Sequence, residues 1–162
     1  MLILRGLTSI KIGDTDSGDM GAVLAALGKT YENTARLTFP EDETIEIHNE
    51  EEDDPFLIIS KKQPKKFEWE IYDFDNANME TLFGGTTAAG PPKSWAAPAA
   101  QPDVEQSIEI LDKNSNKIEI PRAKLVASID APLTSEEPAR VKIVATVLTP
   151  TSDAPVTITE AT

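Results

Sequence analysis

The stretch KFEWEIY, residues 66–72, alternates apolar and charged side chains with a period of two. Phe67, Trp69 and Ile71 fall on one face of an extended chain, Glu68 and Glu70 on the other. Successive side chains of a strand point to opposite faces, so the pattern predicts an antiparallel strand with one face on a core and the other toward water. The same rhythm recurs on both sides of it. Leu2, Leu4, Ile10 and Ile12 alternate near the N-terminus, and ARLTF (35–39), ETIEIH (43–48) and FLIIS (56–60) follow. Beyond it come SIEIL (107–111), KIEI (117–120), AKLVASI (123–129) and ARVKIVATVL (139–148), while PVTITE (155–160) reads as an edge strand or a loose end. DKNSN between SIEIL and KIEI is a polar turn and predicts a hairpin. The longer loop DAPLTSEEP (130–138) joins a second strand pair.

Two stretches carry helical spacing instead. In DMGAVLAALG (19–28), Asp19 stands as N-cap, Met20, Val23, Leu24 and Leu27 share a face, and Gly28 is the stop. In DNANMETLFGG (75–85), Asp75 is the cap, Met79, Leu82 and Phe83 form the apolar face, and Gly84 ends it. Both are short and need a sheet to dock on. Residues 84–103, GGTTAAGPPKSWAAPAAQPD, are Gly, Pro, Ala and Thr almost throughout, which predicts a long loop. As a linker it would leave about 80 residues on each side, thin for two cores. The expectation is one mainly β domain over residues 1–150: an antiparallel sandwich or barrel-like fold with a flanking helix, a long loop, and a C-terminal extension over 151–162. Trp95 either packs the loop on a neighbour or anchors it on its own domain.

The chain has 162 residues, 40% of them apolar and 27% charged, as in an ordinary globular domain. No apolar run reaches the 18 or so residues of a membrane helix. The N-terminus is interrupted by Arg5 and Lys11 and reads as a strand, not as a signal peptide. Cysteine is absent, which excludes disulfides and thiolate metal sites and points to an intracellular or assembly-bound protein. The formal net charge of −13 argues against nucleic-acid binding, which needs a basic footprint. It is compatible with standing near nucleic acid without holding it.

The chemical motifs fall short one by one. GKT (28–30) lacks the phosphate-loop spacing: Gly21 lies seven positions before Gly28, not five, and GKT ends an apolar run where the motif opens a helix. DTDSGD (14–19) and DKNSNK (112–117) begin like calcium loops, but Ala25 and Ala123 occupy the twelfth positions where a bidentate Glu belongs. Both read as turns. His48 is the only histidine, and no nucleophile signature accompanies it. Paired catalytic carboxylates would need a cleft with aromatic platforms, and aromatic residues make up only 6% of the chain. The expectation is a non-enzyme with no cofactor and no metal site.

Charge is strongly segregated. Glu41 to Asp54 holds nine acids and no Lys or Arg, including the unbroken run Glu50, Glu51, Glu52, Asp53 and Asp54. Lys61, Lys62, Lys65 and Lys66 follow with no acid among them. The two blocks either neutralise each other within the chain or meet between subunits, which would orient a ring. A solvated loop is the plain alternative.

LGKTYENTARLTF (27–39), EEEDDPF (50–56), FEWEIYDFD (67–75) with METLFGGT (79–86), WAAP (95–98) and DVEQSIEILDKNSNKIEIPRAKLVASI (103–129) run in order over about residues 20–150. Together they resemble the major tail tube proteins of tailed bacteriophages. The resemblance implies a β-sandwich with a flanking helix at 75–83. It implies six subunits closing into a ring and rings stacking into a virion tube. It implies partners such as the tape measure and tail terminator, assembly in the bacterial host cytoplasm, and no membrane. DNA would pass the lumen without specific binding. Residues 41–54 become a candidate lumen or ring-to-ring surface, the lysines 61–66 a candidate basic contact, and the loop 84–103 with Trp95 a candidate inter-subunit arm. The inner tube of a contractile injection device is the near alternative, and a calcium- or ligand-binding β-sandwich the distant one.

Overall fold

The computed structural model describes residues 1–162. Its elements, in chain order, begin with β1 (Ser9–Gly13), β2 (Ala25–Ala26), β3 (Lys29–Thr30), β4 (Arg36–Thr38), β5 (Glu43–Ile47), β6 (Leu57–Lys61) and β7 (Lys66–Asp73). Helix α1 (Asn76–Phe83) comes next, then β8 (Thr86–Ala88), β9 (Ser94–Ala96), β10 (Val104–Leu111), β11 (Lys117–Asp130), β12 (Arg140–Val147) and β13 (Thr157–Thr159). Strands hold 44% of the residues and the single helix 5%, so the protein is mainly β, antiparallel and sandwich-like. The main sheet runs β2-β1-β10-β11-β12-β7-β3, with β13 added to β11 and β4 to β7. Two small hairpins, β5–β6 and β8–β9, stand outside it.

The alternation in KFEWEIY does what its period requires. β7 pairs with β12 so that Ile71 faces Val141, Trp69 faces Ile143 and Phe67 faces Ala145. All six side chains are buried, Trp69 at 1% exposure. Ile10 and Ile12 of β1, Ile108 and Ile110 of β10, and Ile118, Ile120 and Leu125 of β11 complete the same face. Helix α1 closes the core with Met79, Leu82 and Phe83. Its ends follow the sequence: the Asp75 carboxylate accepts from Asn78 N–H at 2.8 Å, and Gly84 at φ +73° donates back to the Glu80 carbonyl.

KIEI and AKLVASI are one strand, not two. Pro121 has no N–H to give a ladder and is normally confined to edges or bulges. Here Ile108 pairs with Ile120 but Gln106 with Ala123, so Pro121 and Arg122 together oppose Ser107. The bulge shifts the alternation by one, which puts Ala123, Leu125 and Ala127 on the buried face after Ile118 and Ile120. The buried Ser107 hydroxyl donates to the Pro121 carbonyl at 2.7 Å.

The helix expected over 19–28 does not form. Ala25 and Ala26 pair with Ile12 and Lys11 along the β1 edge, and Leu27 is the only fully buried member of the expected apolar face, with Val23 85% exposed. Asp19 caps no helix: its Oδ1 accepts from the N–H groups of Ser152 and Asp153, while Asp153 Oδ2 accepts from Met20 N–H. A helix of ten residues is marginal alone, and here the ladder to β1 and the tie to the C-terminal segment take its backbone groups. Leu2 and Leu4 likewise lie outside any strand. The N-terminal segment is held instead at the Ile3 carbonyl by the side-chain amides of Asn114 and Asn116. The last residues add an edge strand: Ile158 of β13 pairs with Ile118.

Candidate assembly surface

The acidic run is the turn of a hairpin. β5 and β6 pair antiparallel with Glu43 opposite Lys61, Ile45 opposite Ile59 and Ile47 opposite Leu57. Phe56 N–H closes the loop on the Ile47 carbonyl at 2.9 Å, and the Asn49 side chain accepts from Glu52 N–H at 3.0 Å. Glu50 to Asp54 are all exposed at the tip.

Every residue of β5 and β6 is exposed, the apolar ones included. By strand alternation Ile45, Ile47, Leu57 and Ile59 share one face, and they stay 50%, 37%, 46% and 45% exposed. Ile58 and Glu46 lie opposite each other on the other face. A lone two-stranded hairpin is marginal in water. Four half-exposed aliphatic side chains add about 1 kcal/mol each on full cover, roughly half the worth of complete burial.

The acidic run Glu50 to Asp54 and the lysines do not meet within the chain, although Glu43 of the same block stands opposite Lys61. The lysines stand at the base of the hairpin and the run at its tip, five strand residues or about 16 Å away. None of Lys61, Lys62, Lys65 or Lys66 belongs to an ion pair. Lys61 faces Glu43 across the ladder, but Glu43 accepts from Gln63 instead. Lys65 lies 5.5 Å over the Phe39 ring, and Lys66 pairs with Thr38 at the start of β7. His48, at the end of β5, reaches only Glu46 Oε2 at 3.3 Å.

Trp95 is anchored on its own domain. Its indole sits 6.0 Å from the Phe83 ring and its Nε1 donates to the Gly84 carbonyl at 2.9 Å. The loop around it holds the β8–β9 hairpin, unseen in the sequence because Thr, Ala and Ser carry no apolar alternation.

The outward face of the main sheet is a third surface. Its bases are Lys11, Arg36, Lys66, Lys117, Arg122, Lys124, Arg140 and Lys142, and its acids Glu68, Glu70, Glu105, Glu109, Glu119 and Asp130. Five opposite-charge pairs stand directly across the ladders: Lys11–Glu109, Glu105–Lys124, Asp130–Arg140, Lys142–Glu70 and Arg36–Glu68. Arg122 bonds Glu105 through Nε and Nη2, which holds the Glu105 carboxyl below its ordinary range. Glu70 raises Arg140, whose guanidinium also stacks 4.1 Å over Tyr31. The remaining 22 of 28 acids and seven of 15 bases lie elsewhere, so the acidity belongs to the loops and the hairpin, not to the sheet.

No three His, Asp or Glu side chains converge on a point that could hold a metal ion. The molecule is thus a mainly β domain with an uncovered apolar hairpin and an acidic tip. No protein-family model matches the chain, and no curated protein matches it.

Proposed function

We propose that this chain is the structural subunit of a bacteriophage tail tube, which assembles with copies of itself into stacked rings around a DNA conduit. The observation that carries the reading is the β5–β6 hairpin. It presents four aliphatic side chains to water on an element that its own domain leaves uncovered. Exposed apolar patches with polar rims mark interaction sites, and a self-assembling subunit supplies the cover from its neighbour. The ordered stretches that resemble tail tube proteins support the same reading, and their count of six subunits per ring comes with it. An acidic surface beside DNA lets it slide, since repulsion acts within a screening length of roughly 10 Å.

Negative-stain microscopy and sedimentation of the purified protein test this. The expected result is rings or short tubes that grow with concentration. Ile45→Thr with Ile59→Thr is expected to leave the monomer's melting temperature unchanged and to abolish the rings. Particles that stay monomeric at high concentration, even beside tail partners, would sink the proposal.

A further inference from the structure

We propose that the β5–β6 hairpin of one copy seats in the groove beside the N-terminal segment of a second copy, with its acidic tip against Arg5 and Lys113. This rests on the self-assembly reading and names the surface that receives the hairpin. The groove measures about 660 Å³ and lies between the N-terminal segment, the β3–β4 connection and the turn joining β10 to β11. The buried Phe67 and Ile110 line it together with Leu4, Leu7 and Leu37. Arg5 and Lys113 are exposed in its lining, and neither belongs to an ion pair.

Two acids share the groove. Asp112 is buried, and its carboxylate accepts from the N–H groups of Arg5, Asn114 and Asn116 and from the Asn116 side chain. Glu32, on the β3–β4 connection, forms no ion pair with either cation. The two cations are therefore free to meet a partner's carboxylates. The hairpin offers the complement. Ile47 and Leu57 are its last apolar ladder pair, and Glu50 to Asp54 lie in the loop beyond them. In its own chain no hairpin residue lines the groove. Five like charges repel one another at the tip, so a receiving surface with two unpaired cations favours them over water.

The chain has no cysteine, which makes cross-linking specific. Ile47→Cys and Leu4→Cys proteins, mixed under assembling conditions and oxidised, are expected to give a disulfide between the two different chains. Ile47→Cys with Lys142→Cys on the outward sheet face is expected to give about tenfold less, the yield of a contact weaker by about 1.4 kcal/mol. Arg5→Glu with Lys113→Glu is expected to block assembly of a normally melting monomer, and Glu51→Lys with Asp53→Lys in the same chain to restore it. Rings by microscopy without the disulfide between the Ile47→Cys and Leu4→Cys chains, or without rescue by the charge swap, would place the hairpin elsewhere and overturn the groove while leaving self-assembly intact. Absence of any assembly in the unaltered protein would overturn both.

Discussion

Gly28 shows how one residue can carry an element's geometry. It sits at φ +140°, and a Cβ there would collide with the Asp73 carbonyl oxygen. The helical spacing predicts a stop at this position, but it is the link from β2 to β3, where the chain passes close to β7. Gly28→Ala is expected to cost about 1–3 kcal/mol for the backbone alone, read as a shifted urea midpoint. Asp19 is the second such residue. Backbone N–H groups of Asp153 and then Ser152 hold its carboxyl below the ordinary value of 3.8. A lowered folded value means the contribution is present above the ordinary value and is lost as pH falls through the folded one. Asp19→Asn is therefore expected to melt lower than the native chain at neutral pH, with the gap closing as the pH drops below 3.8. A gap that widens in acid would contradict the assignment.

Among the elements, the hairpin and the C-terminal strand are opposites. β5 and β6 carry strand-forming residues and a tight register, yet nothing in the domain packs on them. β13 has three exposed residues and is held by its ladder to β11 and by contacts around it. Thr151 donates to the Ser17 carbonyl, Ala161 N–H to Asn116 Oδ1, and the N-terminal ammonium pairs with Glu160 at 2.9 Å. Truncation after Pro150 removes all of these together with the Asp19 tie. It is expected to lower the melting temperature measurably and to raise amide exchange in residues 14–20, whereas deletions in the hairpin leave that exchange unchanged. The helix-like spacing at 19–28 misled because periodicity counts residues, not partners. Met20 to Leu27 could have made one apolar face, but the edge of β1 and the returning C-terminus offered the backbone better bonds.

Across the whole molecule, the net charge of −13 is not spread evenly. The outward sheet face is laddered with opposite charges, and exposed pairs of that kind contribute little to stability singly. What they do is leave that face nearly neutral, so any repulsion of phosphate comes from loops and the hairpin tip. Glu50→Gln, Glu51→Gln and Glu52→Gln together are expected to weaken ring assembly, seen as a higher concentration threshold in sedimentation. Tubes that form normally but pass DNA slowly would assign the tips to the lumen instead.

The sequence by itself determined the long alternating strands, the capped helix at Asn76–Phe83 and the turn at 112–116, because period-two alternation, an Asp cap and a polar turn are local physics. It also exposed the segregation of charge. Beyond the two pairs predicted across residues 112–116 and 130–138, which form as expected, only the tertiary structure decided which strands pair. That ETIEI and LIISK form one hairpin with the acids at its tip depends on what else lies beside them, and nothing does. It also decided that Pro121 sits inside a continuous strand, because the partner residue Ser107 accommodates the bulge. Alternation tells which face a side chain takes; which neighbour covers that face is set by chain segments distant in sequence.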